Sequence, residues 1–403
     1  MMLRARAYDL LGRVSQSFGR FVRSQPPGFT PAALAIAAIV FVMAPIELWR
    51  ESQRDVAIGF PADPGERDLL RLHERYARPV EDWPRPVLSR AADFTEFARL
   101  DILARPTEGP EALKVALGRR LFADPRLSGS GQIACESCHN RRLGWGDGLP
   151  VSFGDGRQTG TRNAPSLFSS GYKTALFWDQ RAASLEEQAR GPILSPVEMN
   201  NHSIDDMVDR VAAERDYREA FAKVEPGEAL DADAIFAALA AFQRTLERPT
   251  RLDRFIEGRH DALDPEQVWG LHLFRTKARC ANCHNGPLLS DGKAHNIGLS
   301  FYGRRLSDLG AYEITGDPAD AGAFATPSLR HLSRTGPYMH NGLFGNLEGI
   351  VRLYEIGGGR TVSAEVAATD PIGRAASTRS ELLLPFTLTR DERRALVRFL
   401  EAL

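Results

Sequence analysis

The chain has only four cysteines in 403 residues, and both pairs take the same form: Cys135-Glu136-Ser137-Cys138-His139 and Cys280-Ala281-Asn282-Cys283-His284. None is left over, so the fold does not rest on disulfides. Neither sign of charge is in excess, with 51 Lys and Arg against 52 Asp and Glu, which excludes the basic footprint of a nucleic-acid-binding protein. Alternating runs of strand type are few, which argues against an all-β architecture. Long apolar runs are scarce too, and the one that stands out extends from Pro31 to Ile46. Hydrophobic residues nevertheless make up 43% of the chain, enough for ordinary cores and above a disordered composition. The length suits two compact units, or three.

The two cysteine strings carry the chemistry. Cys-x-x-Cys-His is the attachment string for a c-type haem. Two thiols two residues apart each add to one haem vinyl group, and the histidine that follows supplies the proximal nitrogen. A zinc site and a redox pair are the other readings of Cys-x-x-Cys. Zinc ribbons usually separate their pairs by roughly 15–20 residues, whereas Cys138 and Cys280 are 142 positions apart. A redox pair does not require histidine as the next residue, and here it follows both pairs. The strings therefore predict two covalently bound haem c groups. Cys135, Cys138, Cys280 and Cys283 are the attachment points, and His139 and His284 the proximal iron ligands.

In bacteria haem attachment of this kind takes place outside the cytoplasmic membrane, and the N-terminal residues agree. Arg4, Arg6, Arg13, Arg20 and Arg23, opposed only by Asp9, precede the apolar run, a positive-inside arrangement. Residues 1–50 read as a signal or anchor segment with its apolar part at 31–46. The long pre-apolar stretch, and Pro45 directly after Val42-Met43-Ala44, favour an uncleaved anchor. The protein would then be periplasmic and tethered to the inner membrane; cleavage would leave it soluble in the periplasm.

Residues 51–105 are charged and punctuated by prolines, and read as a linker with short helices, one of them over 64–78. An internal repeat follows. Gly118-Arg-Arg-Leu121-Phe122 precedes the first haem string and Gly270-Leu-His-Leu273-Phe274 the second. Leu113, Leu117 and Leu121 form an apolar stripe on one helix, as Val268, Leu271 and Phe274 do on the other. A helix over 231–246 ends before Pro249, and a capping box from Thr389 to Glu392 opens a terminal helix. The expected fold is mainly α. Two cytochrome c-like haem domains, 106–250 and 251–403, pack together behind the N-terminal segment.

From Leu117 onward the chain resembles the bacterial dihaem cytochrome c peroxidases and their relatives of the methylamine-utilisation (MauG) type. The strings that carry the resemblance are Leu121-Phe122-Ala-Asp-Pro-Arg-Leu-Ser128, Arg162-Asn163-Ala-Pro165, Phe177-Trp178-Asp-Gln-Arg181, Pro196-Val-Glu198-Met199, His295-Asn-Ile-Gly298, Thr326-Pro-Ser-Leu-Arg330 and Pro337-Tyr-Met-His340-Asn-Gly342, in family order. The resemblance implies that the first haem reacts with peroxide. Glu198 then matches the distal acid/base, and Gln188 and Pro192 match other distal positions. Trp178 matches a tryptophan between the haems that relays charge. Asn163, Thr335 and Pro337 match positions that hold a calcium ion. Read alone, Glu198 would pass for a solvated loop charge and Trp178 for plain packing.

Two departures from the peroxidase pattern carry weight. The stretch from Phe153 to Gly160 contains no histidine to cap the first iron, which implies an open site. Fourteen residues beyond His340, where the peroxidases carry methionine, stands Tyr354, as in the MauG type. A phenolate ligand there would favour oxidised iron, and a thioether the reduced metal. Met339 is a rival ligand, and Leu347, Ile350, Val351 and Tyr354 also fit one packed helix face. The resemblance implies a dihaem enzyme that reduces hydrogen peroxide with electrons from a small periplasmic cytochrome c or cupredoxin. The alternatives are MauG-like oxidation of a partner protein and, as a different class, a non-catalytic dihaem electron carrier.

Overall fold

The computed structural model describes residues 60–403, so the arginine block and the apolar run at 31–46 lie outside the described residues. Among the described residues no helix is long and apolar enough to cross a membrane. The main helices, in chain order, are α1 (Glu66–Tyr76), α2 (Gly109–Phe122), α3 (Leu185–Leu194), α4 (Ile204–Ala213), α5 (Arg215–Val224), α6 (Ala232–Arg244), α7 (Arg251–Ile256), α8 (Pro265–Arg275), α9 (Leu347–Glu355) and α10 (Arg390–Leu400). Among the described residues strands are confined to one antiparallel pair, β1 (Ala294–Asn296) and β2 (Ala323–Ala325), with His295 opposite Phe324.

Two helix crossings form the frame, one in each half. α2 packs on α6, and α8 on α10. The repeated glycines sit at these crossings. A β-carbon on Gly118 would collide with the carbonyl oxygen of Ala238, and one on Gly270 with that of Ala395. Only glycine allows the backbones so near. The next turn brings aromatic rings together, Phe122 with Phe242 at 5.3 Å and Phe274 with Phe399 at 5.5 Å between centroids. The second leg of the repeat is therefore Ala238-Leu239-x-x-Phe242 and Ala395-Leu396-x-x-Phe399. α4 and α5 close the first core with Met207, Val211, Tyr217 and Phe221.

The stretch read as a linker does contain a helix, α1, but it is not a free connector. Leu72, Tyr76, Trp83 and Phe97 are buried in the same cluster as Leu271, Phe274 and Phe399. The segment after α1 runs as a strap along the second half. Val87 N–H donates to the Arg275 carbonyl at 2.9 Å. The fully buried Arg275 guanidinium pairs with Glu96 and donates to the Pro84 carbonyl. Proline punctuation carries no sign of this burial, because extended backbone can cross an apolar surface as well as solvent.

Charged side chains fasten the halves. Arg330 pairs with Asp253 at 2.6 Å and with Glu247 at 3.0 Å. Glu247 also accepts from Ser169 Oγ and faces His331 Nε2, each at 2.7 Å. Burial opposes ionisation, yet the His331 contact and the Arg330 charge hold the Glu247 carboxyl at about 2. Arg162 joins Asp179 of the first half to Asp308 of the second.

Candidate functional site

Each haem string folds as one tight turn that presents its histidine the same way. Cys135–Cys138 is a single helical turn, and His139 N–H donates to the Cys135 carbonyl at 2.9 Å; His284 does the same to Cys280. His139 Nδ1 lies 3.0 Å from the Trp145 carbonyl and His284 Nδ1 3.0 Å from the Leu289 carbonyl. A carbonyl can only accept, so each Nδ1 carries the proton and each Nε2 is left as a lone-pair donor for a metal. Burial lowers the pKa of both imidazoles and keeps them neutral against those contacts. Burial also pushes the Cys135, Cys280 and Cys283 thiols up to about 12. A redox-active pair has its thiol lowered instead.

A serine from a short motif common to both halves braces the backbone beside each of these carbonyls. Ser166 Oγ donates to the Gly144 carbonyl at 2.6 Å and Ser328 Oγ to the Leu288 carbonyl at 2.7 Å, one residue before each acceptor. The serines belong to Pro165-Ser166-Leu167 and Pro327-Ser328-Leu329. The readable signal was the identical tripeptide following each haem string.

The first cavity, about 1210 Å³, is lined by Cys135, Cys138, His139, Gln188, Pro192 and Glu198. Gln188 and Pro192 lie one turn apart on α3, which Ser184 caps through Glu187 N–H at 3.1 Å. Glu198 follows that helix. Its side chain keeps accessible surface, but the surrounding protein desolvates it and raises its carboxyl pKa, with Arg181 opposing. The 153–160 loop, which lacks histidine, is tied to this segment. Asp155 N–H donates to the Glu198 carbonyl at 2.8 Å, Asn200 Nδ2 to the Asp155 carboxylate at 2.8 Å, and Gln158 Nε2 to the Pro196 carbonyl at 3.1 Å.

The second cavity is lined by Cys280, Cys283, His284, Met339, His340 and Tyr354, so both rival ligands reach it. Tyr354 lies on α9, capped by Asn346 through Gly349 N–H at 2.8 Å. Among the described residues no hydrogen bond reaches its hydroxyl. Burial raises its pKa, as do the nearby Cys283 and Cys280 sulfurs, so the free group is a neutral phenol. A metal cation would reverse that preference.

Trp178 lines both cavities. Its Nε1 donates to the Asn163 carbonyl at 3.0 Å, its own carbonyl accepts from Ala325 N–H at 2.8 Å, and its ring centre is 6.4 Å from that of His340. Asn163 also lines both, and Thr335 and Pro337 line the second. A cluster of Cys283, Asp291 and His295 stands close enough to hold a metal ion. It shares its cysteine with the haem string, and His295 Nε2 faces Asp291 at 2.7 Å, so it belongs to the wall of the second cavity. The paired thiols, the neutral imidazoles with a free nitrogen and the two cavities between them fit two covalently attached haem groups.

Comparison with known proteins agrees with this geometry. A model of the family described as di-haem cytochrome c peroxidase matches residues 112–261. The chain is 39% identical over 351 residues to the methylamine utilization protein MauG of Methylorubrum extorquens, covering 85% of this chain and 87% of that protein. It is 36% identical over 330 residues to the cytochrome-c peroxidase IdrP1 of Pseudomonas sp. (strain SCT), covering 74% and 83%. Among solved structures it is similar to a MauG-like protein associated with microbial copper homeostasis, with a TM-score of 0.64, 33% identity, and coverage of 78% of this chain and 94% of that one.

Proposed function

This chain belongs to the di-haem cytochrome c peroxidase family, and from that premise we propose that it is an oxidoreductase that reduces hydrogen peroxide at the cavity of Cys135, Cys138 and His139. Each haem c, when bound, supplies an iron that takes up and passes on electrons. Two electrons and two protons per peroxide give two waters. Glu198 moves the proton. As a carboxylate it takes one from the near oxygen of the peroxide and returns it to the departing oxygen. Gln188 orients the substrate, and Pro192 keeps a ligating side chain off the distal face. His139 and His284, each fixed by a backbone carbonyl, would hold the irons through Nε2. Trp178 carries charge across the wall between the cavities.

The observation that carries this reading is the placing of Glu198, with its carboxyl pKa raised, on the wall of the same cavity as His139. The test is peroxide added to the fully oxidised protein, followed by a reduced small cytochrome c or cupredoxin. Peroxide-dependent oxidation of that donor, lost in Glu198→Gln with both haems retained, is the expected outcome. Donor oxidation that survives the substitution overturns the assignment, and a protein with no peroxide reaction at all would be a dihaem electron carrier.

A second reading draws on two features of this chain. Tyr354 as ligand to the second iron would stabilise its oxidised state, and the tied 153–160 loop offers no histidine to cap the first iron. Such a protein would store oxidising equivalents and draw electrons from the side chains of a partner protein, in the manner of the MauG type. Loss of the low-spin electron paramagnetic signal of the second haem in Tyr354→Phe is the expected result for a phenolate ligand. An unchanged signal would transfer the role to Met339. A calcium ion held by Asn163, Thr335 and Pro337 is proposed because all three line the second cavity; chelation should alter the haem spectra if it is there. Export to the periplasm, with the 31–46 run as a tether, rests on the N-terminal charge pattern and the chemistry of haem attachment.

A further inference from the structure

The wall between the cavities contains a side chain that the reaction above leaves unused. Lys173 lines both cavities, on a segment fixed by the close approach of Gly171 to the Arg244 backbone. It closes the short turn Ser170–Tyr172, as Thr335 closes the equivalent turn Leu332–Arg334 of the second half. Each turn follows a residue in the left-handed region, Ser169 at φ 62° and His331 at φ 60°. Only one of these equivalent positions carries a charge.

Three arginines that line one cavity or the other are already engaged. Arg330 is held by Glu247 and Asp253, Arg162 by Asp179 and Asp308, and Arg181 by Asp179. Lys173 Nζ makes no ion pair or hydrogen bond among the described residues. Burial lowers its pKa, opposed only by the charge of Glu247, whose carboxylate is taken by Arg330, His331 and Ser169. Three polar groups in the same cavity linings have no partner. His340 lines both cavities, and Ser170 and Asn341 line the first; their Nε2, Oγ and Nδ2 atoms are buried with no hydrogen-bond partner. A half-buried, unpaired lysine on the wall of both cavities, with three unpartnered polar atoms in the same linings, describes a receptor for carboxylates.

A haem c has its attachment carbons on one edge of the porphyrin and its two carboxylates on the opposite edge. We infer that Lys173 is a shared counter-ion for the carboxylates of both haems, completed by His340, Ser170 and Asn341, and that through it the two irons feel one common charge. The inference rests on the two-haem reading and names a positioning residue rather than a catalytic one. A positive charge near a haem disfavours the oxidised, more cationic iron, so it raises the potential of each haem it reaches.

The test is spectroelectrochemical titration of the holoprotein with haem content counted first, which separates a failure of the two-haem reading from a failure of this one. In Lys173→Gln, and in Lys173→Met as a second neutral variant, the potentials of both haems should fall. At a fixed poise the oxidised-to-reduced ratio of each should rise about tenfold, which for one electron is about 59 mV. Lys173→Arg keeps the charge and should leave both near the wild-type value. A shift confined to one haem, no shift in the neutral variants, or an arginine variant that shifts as far as they do would each overturn the inference.

Discussion

Pro192 and Tyr354 occupy the same place in the two halves. Each stands seven residues beyond a buried leucine, Leu185 or Leu347, that begins a capped helix. Before each helix lies an antiparallel bridge, Leu176 with Ala182 and Tyr338 with Phe344, and a residue at φ 69° or 70°, Phe177 or Met339. The register is constant from Pro165 and Pro327 onward, so Trp178 answers to His340 and Lys173 to Thr335. The proximal sides keep their repeat: histidine, backbone carbonyl and Pro-Ser-Leu serine coincide. The distal sides have diverged. A proline offers no ligating atom and a tyrosine offers one, so a single frame can leave one iron open and cover the other. The attachment loops differ too. Glu136 and Ser137 of the first are exposed, whereas the second is bound to the strap. Ser89 N–H donates to Asn282 Oδ1 at 3.0 Å, Thr95 N–H to Asn285 Oδ1 at 3.2 Å, and Gly286 N–H to the Thr95 carbonyl at 3.0 Å.

The sharpest way to break this contrast is at Glu198, which has no acidic counterpart in the second half. Glu198→Gln should lower kcat/KM for peroxide by about 10²–10⁴-fold while both Soret bands persist. Because the carboxylate is the active form and its pKa is raised, the wild-type rate should climb with pH above the ordinary carboxyl range, and that limb should vanish in the variant. The strap comes next. Glu96→Ala strands the buried Arg275 charge and should destabilise the second half by about 3–5 kcal/mol, read as earlier thermal loss of the second haem's absorbance alone. Loss of both haems together would mean that the halves unfold as one.

The helix crossings should instead behave alike. Gly118→Ala and Gly270→Ala each overpack a crossing and should cost about 1–3 kcal/mol, each in its own half, by denaturant titration followed at each haem. A large effect at one glycine and none at the other would deny the structural repeat. The smallest effect belongs to the Pro-Ser-Leu serines. Ser166→Ala and Ser328→Ala should each cost about 1 kcal/mol and perturb the spectrum of the adjacent haem only.

Much of this was legible beforehand because the signals were local. A thiol pair followed by histidine needs only a turn to become a haem site. Gly118 and Gly270 stood out because a helix face has a fixed period, and Thr389 announced α10 because a cap acts within one turn. The second legs of the crossings escaped notice because Ala238 and Ala395 look like ordinary helix residues until a glycine is found opposite them. The packing of the 60–105 stretch went unread for a related reason. Trp83, Glu96 and Phe97 are scattered among prolines, and only Arg275, far along the chain, shows why Trp83 and Phe97 are buried and what Glu96 pairs with.

The sequence by itself determined the covalent haem chemistry, the duplication and the helical frame, since each follows from residues within a turn or two of one another. Tertiary structure alone decided that Glu198, Gln188 and His139 share one cavity, that Tyr354 and Met339 reach the other, and that Trp178, Lys173 and His340 form the wall between them. Those residues lie far apart along the chain, and their meeting depends on how two packed cores face each other, which no local pattern encodes.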